Sequence, residues 1–213
     1  MSVDAVVKLG GSLLGTASLS PLLATLSRLA ESRRLVVVPG GGPFADAVRH
    51  ACERHDPGRS AAHWMAILGM EQHAQLLAGL LPTARLAQDL VGIERALADK
   101  RLCLLAPHAW LRAADPLPHG WHVTSDSIAA WVAARLAAAR LVLLKSVEGV
   151  LDGDGRLAPE LDAAAASQAG VVDPHFLREL EPGRECWILS GRHPDRLEEL
   201  LRTGRTRGTR VRG

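Results

Sequence analysis

The sequence predicts an α/β fold in which a mainly parallel sheet carries helices on both faces. Short apolar runs rich in β-branched residues alternate along the chain with longer segments whose apolar residues recur at helical spacing. The chain has 213 residues, of which 47% are hydrophobic and 23% charged, which suits one sizeable globular domain. We therefore expect a single domain over residues 1–213, with parallel strands joined by helices.

The composition narrows the classes of function. A net charge of +2 gives no general attraction to nucleic acid or to a membrane surface. The apolar runs are interrupted well before the roughly 18 residues that a membrane span needs, and the first residues do not resemble a signal peptide. The cysteines have no paired spacing, which favours reduced thiols, and no recognised metal-ligand spacing is present. We expect a cytoplasmic protein without protein ligands for a metal.

The first predicted strand ends in a glycine turn. Val3–Leu9 is apolar and β-branched, and Gly10 and Gly11 follow it directly. Lys8 lies at the end of this strand, and a lysine beside the bare N–H groups of a glycine turn favours phosphate binding. Lysine is rare in this chain compared with arginine, which strengthens the interpretation of Lys8 as a phosphate-binding residue. The alternative is a plain turn with a surface charge, and the spacing does not match a P-loop.

A second glycine segment follows the next strand. Ser20 and Pro21 predict a helix that ends near Glu31, and Leu35–Pro39 is a second buried strand. This strand runs into three glycines, residues 40–42, and then into a helix, so a second anion site is predicted. The same residues also fit a dinucleotide fingerprint. That alternative is weak, because the strand and acidic residue that should follow are missing.

The middle of the chain is predicted to be mainly helical. Ser60–Leu81 is a long helix, whose polar residues would face a ligand only if the helix borders the site. A short helix over Ile93–Lys100 and a short strand over Leu102–Leu105 follow, and the proline-containing segment His108–His119 is predicted to be irregular.

A third informative segment begins at Trp121. Thr124 or Ser125 can cap a helix that carries Asp126 in its first turn, where an acidic residue is also favoured by the helix dipole alone. Arg140–Lys145 is the next predicted strand, and a loop leaves its end. The remaining predicted elements are a turn at Asp152–Gly155, a helix from Asp173 to Leu180, a strand at Cys186–Leu189, a helix from Pro194 to Leu201 and a basic last edge strand.

Four motifs in this order resemble the amino-acid kinase family, the enzymes related to acetylglutamate, uridylate and isopentenyl phosphate kinases. The motifs begin at Val7, Val37, Val123 and Leu144, and read VKLGGS, VVPGGG, VTSDSIAA and LKSVEGV. The similarity covers essentially the whole chain, including Gly208-Thr209 before the last predicted strand.

The resemblance implies a three-layer αβα sandwich that binds MgATP at the carboxyl edge of the sheet and transfers its γ-phosphoryl group. It implies catalytic roles for Lys8 and Asp126, with Mg²⁺ held mainly by the nucleotide. The nucleotide phosphates would contact Gly10, Gly11 and Ser12, and the nucleoside would contact Lys145, Ser146, Val147 and Gly149. The acceptor would contact Gly40, Gly41, Gly42, Thr124 and Ser125.

Within this family, the chain is most similar to the small kinases that phosphorylate aminomethylfuran methyl phosphate on the way to methanofuran or its methylotroph counterpart. The short length, the Thr-Ser-Asp-Ser signature and the helix around Met65 carry this similarity. It implies a small-molecule phosphate acceptor and a diphosphate product, although a carboxylate acceptor also fits the glycine segment. The resemblance further implies a homo-oligomer, at least a dimer.

One departure from the family pattern leaves two questions open. Many members have a second phosphate-binding lysine in the segment corresponding to residues 170–177, and none is present here. His175 or Lys145 are candidates to replace it, and the sequence does not decide between them. The alternative function is a slow or inactive nucleotide-binding regulatory subunit, against which the intact Lys8 and Asp126 argue.

Overall fold

The computed structural model of the chain describes residues 2–213, whose strands form one sheet. In chain order the strands are β1 (Val3–Leu9), β2 (Leu35–Pro39), β3 (Arg85–Ala87), β4 (Cys103–Leu105), β5 (Ala138–Lys145), β6 (Glu160–Asp162), β7 (Glu185–Ser190) and β8 (Thr209–Arg212). Their order across the sheet is β3-β4-β2-β1-β5-β7-β8-β6. Neighbouring strands are parallel except β7 and β8, so β8 and β6 run opposite to the other strands.

Helices cover both faces of this sheet. In chain order they are α1 (Leu19–Ala30), α2 (Gly42–His55), α3 (Arg59–Leu80), α4 (Leu90–Ala98), α5 (His108–Ala114), α6 (Ser125–Arg135), α7 (Ala163–Gln168), α8 (Phe176–Glu179) and α9 (Pro194–Thr203). The apolar side chains of α1 and α9 share one hydrophobic core, and those of α4 to α8 share the other. The mainly parallel α/β architecture predicted from the sequence is therefore confirmed.

The central strands direct two lysines to the same face of the sheet. Successive side chains of a strand point to opposite faces, so Lys8 shares a face with Val6, and Lys145 shares a face with Leu143. Val6 and Leu143 both belong to the core beneath α6. Because β1 and β5 are parallel neighbours, both lysines reach the carboxyl edge on the α6 side.

Helix α6 is held rigidly between β1, β5 and α8. It contacts all three elements, and every residue from Asp126 to Ala133 is buried. Thr124 caps the helix, with its hydroxyl oxygen accepting a hydrogen bond from the Asp126 N–H at 3.3 Å. The predicted cap is confirmed, and it fixes Asp126 above the ends of the two central strands.

The structure differs from the sequence prediction in several short elements. The segment expected to be irregular contains α5, because its prolines at 116 and 118 follow the helix instead of interrupting it. Strands β3 and β6 and helix α7 were not predicted, and the helix expected from Asp173 covers only Phe176–Glu179. The C-terminal strand is not at the edge, because β6 pairs outside it.

Candidate active site

Lys8, Asp126 and Lys145 form a charged cluster at the carboxyl edge of the sheet. The Lys8 Nζ lies 3.0 Å from Asp126 Oδ1, and the Lys145 Nζ donates to Asp126 Oδ2 at 2.6 Å. Lys8 and Asp126 are buried, whereas the Lys145 side chain retains 16% of its exposure. One carboxylate therefore orients two ammonium groups beside the edge where a ligand can enter.

The charged cluster carries a surplus of positive charge. Burial alone would raise the pKa of Asp126, but the charges of Lys8 and Lys145 outweigh it and hold that pKa below its usual value. Burial, with the nearby charge of Lys8, lowers the pKa of Lys145. Asp126 is accordingly a poor proton acceptor. An ionised Lys8–Asp126–Lys145 set has a net charge of +1, which suits an incoming anion.

Asp173 braces the segment that carries Asp126. Its buried carboxylate accepts hydrogen bonds from the backbone and hydroxyl groups of Thr124 and Ser127, at 2.5 to 3.1 Å. It also accepts from the N–H groups of His175 and Phe176, both at 3.0 Å. One side chain thus ties the start of α6 to the start of α8.

Replacing Asp173 is expected to destabilise the protein strongly. Asp173→Ala leaves several buried donors without an acceptor, which should lower the free energy of unfolding by about 3 kcal/mol and the melting temperature by roughly 6 to 12 °C. The control is Asp162→Ala, which removes one helix-capping bond to Ala165 N and should cost about 1 kcal/mol. Equal losses in thermal unfolding of the two variants would contradict the bracing role.

Two glycine loops lie against each other beside the charged cluster. The first glycine loop is residues 10–12, and the second glycine loop is residues 40–42. A Cβ on Gly11 would lie 2.2 Å from the Gly42 nitrogen, and Gly42 itself has φ +53°. A side chain at either position would separate the loops or strain the backbone.

Backbone hydrogen bonds fix both loops to the sheet. The Gly10 N–H donates to Leu144 O, and the Gly40 N–H donates to Leu9 O, each at 2.8 Å. Within residues 2–213, the N–H groups of Gly11 and Ser12 have no protein acceptor. Free N–H groups beside surplus positive charge suit phosphate oxygens, so the first glycine loop fits the phosphates of ATP as it fits those of other phosphate ligands.

A cavity of about 540 Å³ is lined by both glycine loops, through Gly11, Ser12, Gly41 and Gly42. Thr124 and Ser125 contribute to its wall, together with side chains that the sequence did not single out for a site. Arg49 pairs with Asp46 at 2.8 Å, and its guanidinium carbon lies 4.9 Å from the centre of the Trp121 ring. The cavity thus combines backbone donors, both signs of charge and an aromatic surface.

Helix α3 borders this cavity, and some of its polar residues face the site as the sequence allowed. His63 and Met70 line the cavity. The His73 Nδ1–H donates to Gly40 O at 2.6 Å and braces the second glycine loop. Burial lowers the pKa of His73, which favours the neutral ring.

His63 is expected to make stability depend on pH. Burial, with the charge of the stacked His119, lowers the pKa of His63 to about 4, whereas an unfolded histidine titrates near 6.5. Below 6.5 the unfolded chain therefore binds a proton that the folded chain does not. Stability should fall as the pH drops from 6.5 toward 4, by up to about 3 kcal/mol.

Thermal unfolding across this pH range measures the effect. His63→Gln should flatten the curve between pH 6.5 and 4, whereas the exposed His50→Gln should leave it unchanged. The same slope in His63→Gln and the unaltered protein would contradict the assignment to His63.

The predicted nucleoside residues belong to the loop that follows β5. Ser146 lies next to the first glycine loop, with its hydroxyl 3.3 Å from that of Ser12. Further along, Val147 is exposed, and a Cβ on Gly149 would lie 2.5 Å from Thr209 Oγ1, so the loop passes closely over β8. The Lys145 side chain instead turns into the charged cluster.

The structure thus brings most of the predicted site residues to one edge of the sheet. Lys8 and Asp126 meet directly, and the two glycine loops flank them. The sequence did not indicate that Asp173 and His73 support the site. The only local signal for Asp173 was its position, together with Pro174, before a helix.

No helix within residues 2–213 is long and apolar enough to cross a membrane. In the same part of the chain, no three His, Cys, Asp or Glu side chains are grouped in a way that could hold a metal ion.

Comparison with known proteins places the chain in a family. The model of the Amino acid kinase family matches residues 5–189. The chain is 28% identical to a [5-(aminomethyl)furan-3-yl]methyl phosphate kinase of Methanocaldococcus jannaschii over 92% of each chain, and 27% identical to an acetylglutamate kinase of Aeromonas hydrophila over 97% of each. Its fold is similar to the crystal structure of UMP kinase from Ureaplasma parvum, with a TM-score of 0.78, 17% identity and coverage of 99% of this chain and 100% of that one. The chain therefore belongs to the amino acid kinase family and is a phosphotransferase.

Proposed function

We propose that the protein transfers the γ-phosphoryl group of ATP to a small-molecule phosphate acceptor, giving a diphosphate. The preferred acceptor is [5-(aminomethyl)furan-3-yl]methyl phosphate, the substrate in the name of the Methanocaldococcus jannaschii relative. The observation that carries the proposal is the charged cluster beside two glycine loops, with its surplus positive charge. Phosphoryl transfer requires positioning and charge neutralisation, which this arrangement offers.

Different residues would bind the nucleotide and the acceptor. The first glycine loop would hold the nucleotide phosphates through the free N–H groups of Gly11 and Ser12, and the loop after β5 would hold the nucleoside. The second glycine loop, with Thr124 and Ser125, would hold the acceptor. Mg²⁺ would neutralise phosphate charge, and the nucleotide would supply most of its ligands. Lys8, oriented by Asp126, would stabilise the transferring group.

The lowered pKa of Asp126 favours an acceptor that is already an anion. A hydroxyl acceptor needs a base to take its proton, and Asp126 is held ionised by two lysines. A phosphate oxygen carries negative charge near neutral pH and needs no such base. The cavity therefore suits a phosphate, or a carboxylate as the second choice.

The cavity also suits the amine and the ring of the preferred acceptor. Its phosphate would lie at the second glycine loop and the start of α2, where backbone N–H groups favour anions. The exposed carboxylate of Asp46 would then attract the ammonium group, and the Trp121 ring would offer a flat apolar surface to the furan.

Removing the charge of Asp46 should weaken binding of an amine-bearing acceptor specifically. Asp46→Asn should raise the KM for the aminomethyl compound about tenfold, equivalent to about 1.4 kcal/mol, because its ammonium loses a charged partner. The KM for the analogue with a methyl in place of the aminomethyl group should not change. Glu53→Gln, an exposed acid on the same helix, is the matched control. Equal KM changes for both acceptors would contradict the role of Asp46.

Phosphorus NMR with MgATP and a panel of acceptors tests the function. The panel contains the aminomethylfuran phosphate, isopentenyl phosphate, uridylate and acetylglutamate. A new diphosphate signal from the furan compound alone, absent with Lys8→Ala, is the expected result. Transfer to another member would correct the acceptor, and ATP binding without transfer to any would instead support the regulatory subunit.

A further inference from the structure

The charged cluster contains one more cation than the proposed roles use. Lys8 was expected to hold the transferring phosphate, and Lys145 was expected to contact the nucleoside. Both ammonium groups nevertheless meet the same carboxylate, Lys8 at Oδ1 and Lys145 at Oδ2 of Asp126. The function of the second ammonium group therefore needs an explanation of its own.

The segment at 170–177 does not provide a second cation to the cluster. The carboxylate of Asp173 is occupied by donors from α6 and α8. The ring of His175 is turned to its own helix, where its Nε2 lies 2.9 Å from Glu179 Oε1. His175, the one basic side chain in residues 170–177, therefore does not direct its ring toward Asp126.

Lys145 lies directly at the first glycine loop. The Leu144 carbonyl before it accepts the Gly10 N–H, and a Cβ on Gly10 would lie only 3.6 Å from the Lys145 Cα. Its side chain points to the face covered by α6, so its ammonium group reaches the charged cluster beside the two glycine loops. It remains 16% exposed, which leaves it accessible to a ligand at the edge.

The charge balance favours an anionic ligand for this lysine. The buried Lys8 ammonium and the partly exposed Lys145 ammonium share one carboxylate, an arrangement in which desolvation and mutual repulsion are only partly offset. Burial and the charge of Lys8 lower the pKa of Lys145 by more than the carboxylates of Asp126 and, more weakly, Asp173 raise it. An added phosphoryl oxygen would balance the surplus charge.

We propose that Lys145 is a second phosphate-binding cation, which contacts the transferring phosphoryl group together with Lys8. This inference rests on the proposed phosphoryl-transfer function. In the step, a bond forms between an acceptor phosphate oxygen and the γ-phosphorus, while the bond from that phosphorus to the β–γ bridging oxygen breaks. The electron pair leaves with ADP, and Lys145 stays protonated throughout, stabilising charge without transferring a proton.

Nucleotide binding by the Lys145→Met variant distinguishes contact with the transferring phosphoryl group from contact with the nucleoside. Calorimetric titration compares the imido analogue of MgATP, which has a γ-phosphate, with MgADP, which does not. Lys145→Met should weaken binding of the imido analogue about tenfold and leave MgADP binding nearly unchanged. Lys100→Met, at an exposed lysine, should change neither.

Each other outcome overturns the inference. An equal loss for both nucleotides would assign Lys145 to the nucleoside or to the other phosphates, and no loss for either would exclude contact. Lys145→Gln keeps a hydrogen bond to Asp126 without the charge, and serves for the same comparison where the methionine variant does not fold. Because no acceptor is used, failure of every acceptor in the NMR panel is a separate result. Wild-type protein that binds neither nucleotide would overturn the proposed function, and this inference with it.

Discussion

Lys8→Met should lower kcat by roughly 10³-fold, equivalent to about 4 kcal/mol of lost transition-state stabilisation. The ammonium group of Lys8 is buried, is held 3.0 Å from Asp126 and belongs to the charged cluster beside the two glycine loops. A charge that is fixed in advance stabilises developing charge without reorganisation, so its loss should affect kcat more than the KM for MgATP. Single-turnover kinetics with the acceptor found by phosphorus NMR would measure the chemical step directly.

The fold should survive this substitution, which makes the kinetic result interpretable. Asp126 keeps Lys145 as a partner in Lys8→Met, so the buried carboxylate is not left alone. Lys100→Met is the matched control and should have the kcat of the unaltered protein, since Lys100 is exposed. A normal kcat for Lys8→Met, with a normal melting temperature, would exclude Lys8 from the reaction.

The sequence predicted the parts of the fold that depend on local signals. The strands Val3–Leu9 and Leu35–Pro39 were predicted with their observed bounds, because a strand buried on both faces appears as a continuous apolar run. The start of α6 was predicted because a Thr124 cap has a local chemical cause. These elements also carry Lys8, Asp126 and the glycine loops, which is why those site residues could be named.

The missed elements depend on partners that are distant in the chain. β3 and β6 are three residues long, and they are strands because β4 and β8 pair with them. Asp173 accepts hydrogen bonds from Thr124 and Ser127, 46 to 49 residues earlier. The Lys145 side chain points to the α6 face of the sheet because of its position in β5, which pairs in parallel with β1. Apart from the position of Asp173-Pro174 before a helix, none of these contacts has a local sequence signal.

Asp126→Asn should destabilise the protein by about 3 to 5 kcal/mol, because it leaves the buried Lys8 and the largely buried Lys145 ammonium groups without their shared counter-charge. The carboxylate of Asp126, in the first turn of α6, bridges Lys8 and Lys145. An amide cannot balance either charge. The loss should be measured by urea unfolding with linear extrapolation, at constant slope. The activity should fall as well, since both lysines lose the group that orients them.

A compensating substitution distinguishes charge imbalance from a loss of packing. Asp126→Asn combined with Lys145→Met removes one positive charge as well, so the double variant should be more stable than Asp126→Asn alone by about 1 kcal/mol or more. The deficit of Asp126→Asn should also shrink as the pH rises toward about 10. The charge of Asp126 raises the pKa of Lys145, so its loss should lower that pKa further in the folded variant than in the unaltered protein, and the variant then gains more stability as the pH rises. If the two substitutions simply added their losses and the deficit did not change with pH, repulsion within the charged cluster would not be its cause.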